Sequence, residues 1–266
     1  MDPHVIPFEP RRFATAAPHY LQGRPAYAAG LFRRVADLVG LGPRHAVLDL
    51  GCGPGQLAAG FALFAGAVVA MDPEPEMLAI AASRVEGGLT NVTFARGSSY
   101  DLGDTVPLAP FRLVTIGRAF HWMDRADTLR RLDALVEADG AVALVSDDHP
   151  RVPRNAWLAE FNAIRRRYAG EDGPAWRQPG WPSHEAMLLA GPFRRLERIG
   201  VIEQRRVPAE RLVDRALSMS SSSRGRLGDR ADAFAAEVAA LANGVARDGL
   251  VDEVVETTAL LAWRGP

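Results

Sequence analysis

Apolar positions in the first 150 residues alternate between short, mostly apolar runs and longer stretches with helical spacing. The runs at 47–50, 67–71, 111–116 and 141–145 read as buried strands, and Val92 and Phe94 mark a further, alternating strand at 91–95. Between them lie stripes at three- and four-residue intervals. Ala28, Leu31, Phe32, Val35, Leu38 and Val39 form the first, entered through Pro25 and ended by Gly40 and Gly42. Leu57, Phe61 and Phe64 form the second. Met77, Ile80, Ala81 and Val85 form the third, stopped by Gly87 and Gly88. Leu129, Leu132, Leu135 and Val136 form the fourth, with Asp124 placed to cap it and Asp139-Gly140 turning into the next strand. Strand-helix alternation of this kind predicts a doubly wound, mostly parallel α/β sheet with right-handed crossovers.

Beyond residue 150 the rhythm changes. Trp157, Phe161, Ile164 and Tyr168 make one helical stripe, a loop at 171–182 carries Trp176 and Trp181, and Ser183 caps a short helix around 187–189. A strand region with basic edges follows at 193–207. Helices are expected at 209–219 and 231–245, joined by a serine-rich linker at 218–228, and 251–263 reads as a closing strand. The expected organisation is one domain: an arm and helix at 1–44, a core at 45–150, a helical cap from 151–192 and 205–250, and terminal strands at 193–204 and 251–266.

Composition narrows the class. With 266 residues, 48% hydrophobic and 24% charged, the chain has the material for one large folded domain. A net charge of −1 gives no reason to expect a nucleic-acid partner. Every Lys/Arg position is arginine, a bias that fits a GC-rich genome. The single cysteine, Cys52, allows no internal disulfide, and the start of the chain lacks the basic and apolar regions of a signal peptide, so a cytoplasmic location is expected. The uncharged run at 50–71 has the length of a membrane span, but Pro54 and its glycines split it, so no membrane association is expected. Asp147, Asp148, His121 and His149 lack compact ligand spacing, so no metal is expected.

The chemistry concentrates where the first strand ends. Asp49 is followed by Gly51, Cys52, Gly53, Pro54, Gly55 and Gln56, a turn that admits left-handed backbone and close ligand approach before a helix N-terminus. The second strand ends in a second acid, Asp72, before Pro73; an acid there can accept both hydroxyls of a ribose. The fourth strand delivers Gly117-Arg118-Ala119-Phe120-His121-Trp122 to the edge where open α/β sheets bind ligands.

The run at 47–56 resembles the nucleotide-proximal loop of class I S-adenosylmethionine-dependent methyltransferases of the small-molecule (type 11/25-like) subgroup, and Ala119-Phe120-His121-Trp122 is similar to the matching segment in that subgroup. Tyr20, Arg24, Pro25 and Tyr27 resemble its Y-x-x-x-R-P-x-Y segment. The resemblance implies a Rossmann-like seven-stranded sheet with an antiparallel last strand, S-adenosyl-L-methionine as cofactor, and a small-molecule acceptor. It implies cofactor contacts from Asp49, Gly51, Cys52, Gly53, Gly55, Gln56, Asp72, Pro73, Met77, Ser98, Ser99, Gly117, Arg118 and Ala119. It implies that Tyr20 or Arg24 closes over the methionyl end of the cofactor or over substrate, against a reading of them as a surface arm with packed rings.

The family more often carries aspartate where Ser98 stands, and an acid where Arg112 stands. Phe120, His121, Trp122, Tyr27, Trp157 and Trp181 are candidates for the acceptor pocket, against a reading of the rings as plain core. His121 is the first candidate base and His149 the second; both also suit packing. Arg165-Arg166-Arg167 either meets an acidic acceptor or is a solvated helix face. The chain is expected to act as a monomer or homodimer. The readings that compete are the same fold acting on a quinone precursor, protein or RNA, a nicotinamide-dependent oxidoreductase, and a non-catalytic cofactor-binding protein.

Overall fold

The computed structural model describes residues 4–9, 11–85, 88–103, 106, 110–170 and 179–265. Gly87 and Trp176, singled out above, lie outside the described residues.

Seven strands form one sheet in the order β3-β2-β1-β4-β5-β7-β6. They are β1 (Ala46–Leu50), β2 (Ala67–Asp72), β3 (Val92–Arg96), β4 (Phe111–Gly117), β5 (Val136–Asp148), β6 (Arg195–Pro208) and β7 (Leu250–Trp263). β1 to β5 run parallel, and β7 lies antiparallel to both β5 and β6. The expected fold class is the observed one. β5 begins earlier than the sequence suggests, because Val136 pairs with Phe111 before a register shift carries the pairing through the Asp139-Gly140 turn. β6 spans nearly the expected 193–207, running on past the 204 boundary of the expected domain division to Pro208, zipped residue for residue against β7.

Helices cover both faces. α2 (Ala29–Val39) and α3 (Gln56–Phe61) bury Leu31, Val35 and Phe61 against one face, where α4 (Pro75–Val85) packs partly buried Leu78. α5 (Arg125–Asp133) brings Leu129 and Leu132 to the other, with Asp124 accepting from the Asp127 N–H as the sequence predicts. α7 (His184–Ala190), expected in the cap, instead packs Leu188 onto this second face beside Phe193. A short α1 (Ala17–Gly23) precedes α2.

A separate cluster forms from α6 (Trp157–Ala169), α8 (Arg211–Leu217), α9 (Arg224–Leu227) and α10 (Ala231–Val245), around Phe161, Leu212, Leu217 and Phe234. It reaches the sheet through Val207 and Val251, at the edge where the parallel strands end. The expected serine linker at 218–228 is a packed corner: Ser218 and Ser222 are buried and donate to the carbonyls of Arg215 and Ala216. Those bonds satisfy hydroxyls that would otherwise be costly to bury.

Candidate active site

β1 hands over to α3 through the glycine turn. The N–H groups of Gly51 and Cys52 both donate to the Met71 carbonyl, at 2.8 and 3.0 Å, which ties the turn to β2. Gly53 has φ +52° and open space where a Cβ would stand, so its backbone faces the cavity bare. Gly55 has φ +73° and sits with its would-be Cβ 3.0 Å from Ala81 Cβ, so a side chain there would press α3 against α4.

Asp49 works from below. It is 1% exposed, and its carboxylate accepts from the Ala58 N–H at 3.0 Å and the Thr115 hydroxyl at 2.8 Å. Burial pushes its pKa up to about 7, against the pull of those two donors. Asp49 therefore joins β1, α3 and β4 and does not line the cavity. Cys52, Gly55 and Gln56 are absent from the lining for the same reason: they hold the turn from behind, Gln56 by accepting from Arg118 at 3.3 Å.

Asp72 does face the cavity, with Gly51, Gly53, Pro73 and Met77. One of its oxygens accepts from the Gly53 N–H at 2.8 Å and the other from the Glu74 N–H at 2.9 Å. A carboxylate has about four lone-pair sites, so two remain for a diol. Burial raises its pKa to about 6; the two N–H donors lower it and Glu74 raises it further.

The other end of the cavity is cationic. Arg118, at the tip of β4 with φ +55°, pairs with Asp147 on β5, donates to the Pro25 carbonyl at 2.7 Å and stacks over Tyr27 at 4.3 Å. Burial alone would raise Asp147, but Arg118 and Arg24 hold it below the usual carboxylate range. Arg24 stacks over Tyr20 at 5.3 Å and donates to the Ser218 carbonyl at 3.4 Å. Burial lowers its pKa, and its Nε has no hydrogen-bond partner among the described residues. Two guanidiniums thus share one carboxylate, which leaves a positive charge for an anionic group.

At the third end, Ser98 and Ser99 line the cavity in a capped turn: the Ser98 hydroxyl lies 2.7 Å from Asp101 Oδ2, which also accepts from the Ser98 N–H. The N-terminal arm crosses above. Phe8 meets Tyr100 edge-on, Phe13 meets Trp122, Arg12 stacks on Trp122 at 4.6 Å, and Arg11 pairs with Glu76. The Phe13 N–H donates to buried Glu74 at 3.1 Å. Glu74 was not singled out by sequence; the second acid of Asp72-Pro73-Glu74 was the available signal.

The cavity has a volume of about 700 Å³ and continues past Gly117, Ala119 and Phe120 toward Ser146, Arg165, His184, Met219 and Thr258. His121 and Trp122 line it, their rings 4.7 Å apart. Arg165 lines it as well, whereas Arg167 pairs with Glu160 and Glu237 outside.

Four aromatic or histidine candidates do not line the cavity. Trp157 is cap core, its indole N–H donating to the Asp252 carbonyl. Trp181 packs against Arg125 and His4. Tyr27 lies beneath Arg118, its hydroxyl filling the space over Gly117. His149 turns toward the Arg215–Glu253 pair, 3.4 Å from Glu253. His184, unnoticed in the sequence, does line the cavity beside Phe120; burial and then Arg125 lower its pKa. Among the described residues no group of three or more His, Cys, Asp or Glu is placed to hold a metal ion, and no helix is long and apolar enough to cross a membrane.

The residues fit a nucleoside bearing an amino-acid tail: a paired acceptor at Asp72 for a diol, a bare backbone at Gly53, and excess positive charge at Arg24 and Arg118 for a carboxylate. Comparisons agree. A family model described as a methyltransferase domain matches residues 47–140. The uncharacterized methyltransferase Rv3342 of Mycobacterium tuberculosis is 27% identical over 210 residues, 78% of this chain and 76% of that protein. Among solved structures, one from Anaeromyxobacter dehalogenans has a TM-score of 0.61 at 24% identity, covering 91% of this chain and 97% of that one. An S-adenosylmethionine-dependent methyltransferase from Thiobacillus denitrificans, solved with S-adenosyl-L-homocysteine, has a TM-score of 0.54 at 14% identity over 98% of this chain and 100% of that one.

Proposed function

This chain belongs to the class I S-adenosylmethionine-dependent methyltransferases, and we propose that it methylates an oxygen, nitrogen or carbon nucleophile of a small organic molecule. The observation that carries the reading is the pairing of Asp72 with the open turn at Gly53, at one end of a cavity large enough for donor and acceptor together.

When bound, S-adenosylmethionine supplies a methyl group on a sulfonium, transferable in one displacement without a covalent enzyme intermediate. The protein's part is to hold two molecules in register and keep water out. Asp72 would take the ribose hydroxyls, and Ser98, Ser99 and Met77 the base. Arg24 and Arg118 would take the methionyl carboxylate, with Tyr20 beside them. Asp49 fixes the turn that carries Gly51 and Gly53. His121 is placed to accept a proton at a ring nitrogen from an acceptor that must lose one, and Phe120 and Trp122 give the acceptor an apolar wall.

The test is incubation of the purified protein with methyl-labelled donor and a metabolite extract. Label transferred to a small molecule, with S-adenosyl-L-homocysteine formed in equal amount, supports the reading. Donor binding without turnover on small molecules, or label moving only to protein or RNA, overturns it.

A further inference from the structure

A second cavity, of about 400 Å³, opens behind the cationic end of the active site, between the segment joining α1 to α2, the end of β6 and α8. Arginine dominates its walls: Arg24, Arg205, Arg211 and Arg215 all line it, with Glu253 as the one acid among the described lining residues. Arg206 also borders it, but side chains alternate along a strand, and its guanidinium reaches Asp252 and the Arg247 carbonyl.

The charges do not balance. Arg215 is matched by Glu253, with contacts of 2.6 and 3.3 Å, and by the Gly23 carbonyl. Arg205 is matched by Glu203 and the Ala26 carbonyl. Arg24 and Arg211 form no ion pair among the described residues, and the carboxylate nearest in kind to Arg24, Asp147, is already held by Arg118. Like charges gathered around a hollow repel one another, and a protein that maintains them there gains when an anion enters. Guanidinium also suits the task, because its planar fork matches the oxygens of phosphate or carboxylate two at a time.

We infer that this arginine-lined cavity is a binding site for a small multiply charged oxyanion, separate from the methyl-donor cleft and sharing with it, of the described residues, only Arg24. The ligand class is a phosphorylated or polycarboxylated metabolite of a size that 400 Å³ admits. Because Arg24 borders both cavities, an anion here neutralises part of the charge available to a carboxylate in the donor cleft. The site is thus placed to report the level of such a metabolite to the enzyme. The inference stands independently of which acceptor is methylated.

Inorganic tripolyphosphate and citrate serve as probes, titrated by calorimetry against the full chain at constant ionic strength, with sulfate as the monomeric control. The expected result is saturable binding of at least one probe, weakened about tenfold or more in Arg211→Gln, whose exposed side chain lies outside the donor cleft. Arg205→Gln is the second variant and is expected to weaken the same probe. S-adenosyl-L-homocysteine titrated into each variant shows that the donor cleft is intact. Absence of saturable binding to both probes overturns the inference, as does equal binding by wild type and Arg211→Gln. One-for-one competition between probe and S-adenosyl-L-homocysteine also overturns it, since that result puts the anion in the donor cleft.

Discussion

The Asp72 carboxylate, at the tip of β2, accepts a 2.8 Å hydrogen bond from the backbone N–H of Gly53, in the turn that follows β1. One side chain thereby fixes the turn and keeps lone pairs for a bound diol. Asp72→Ala removes both functions. The affinity for S-adenosyl-L-homocysteine, measured by calorimetry, should fall at least tenfold, since each hydrogen bond to a charged group contributes roughly 1.5–3 kcal/mol. An unchanged affinity in a folded variant would show that the ribose lies elsewhere.

Donor affinity should depend on pH through the same residue. With a pKa near 6, Asp72 is protonated in mild acid and loses acceptor capacity. Affinity should therefore fall as pH drops through about 6 and level off above 7. Asp72→Asn should abolish that step, and a wild-type affinity flat between pH 5 and 8 would contradict it.

Folding stability should slope the opposite way. Asp49 has a folded pKa of about 7, above its unfolded value, so the stability it contributes is complete below about pH 4 and is lost as pH rises through 7. Asparagine can keep both bonds, accepting from the Ala58 N–H and donating to the Thr115 hydroxyl. Asp49→Asn should raise stability at pH 8 by roughly 2–4 kcal/mol. Thermal melts between pH 5 and 8 would refute this if wild type and variant ran parallel.

The two glycines of the turn should separate packing from binding. Gly55→Ala meets both a left-handed backbone and Ala81 at 3.0 Å, so it should cost ~1–3 kcal/mol of stability. Gly53→Ala meets only the backbone penalty, because its Cβ enters open space. That variant should melt closer to wild type yet bind donor more weakly. Equal melting temperatures for the two would show that Ala81 yields without cost.

The two histidine candidates should also part company. His121→Ala should lower kcat by about 10²-fold with donor affinity nearly unchanged, as expected for loss of a proton acceptor. His149→Ala should instead lower the melting temperature with kcat intact, because its ring sits against the buried Arg215–Glu253 pair. An unaltered rate for His121→Ala would assign that ring to packing.

What the sequence reveals depends on how locally each feature is encoded. The core from β1 to β5 was legible because apolar runs end in acids and glycines, punctuation that needs no tertiary partner. α1 was missed: Ala17 to Gly23 has a proline near its start but no amphipathic stripe. Buried Ser218 and Ser222 look like linker residues until Arg215 and Ala216 are known to receive their hydroxyls. For the site, residue type identified Asp49 and Asp72 alike as acids at strand ends, yet could not tell which one faces the cavity. The polar Thr115 inside an apolar strand was the available clue, since a buried hydroxyl demands a partner and Asp49 is that partner. Trp157 and Trp181 were indistinguishable from pocket residues because rings suit cores and clefts equally.

Among the described residues β6 forms one margin of the sheet for fourteen residues, paired with β7 on one side only. A strand so long, left open along its outer rim, is a template on which another chain could extend the sheet into an aggregate. Arg195, Glu197, Arg198 and Arg206 spread charge along that strand, so a second strand brought alongside would meet ions in need of water. The arginine-rich stretch thus guards the molecule's solubility, and replacing its charges with valine or isoleucine would invite polymerisation even though the fold itself remained intact.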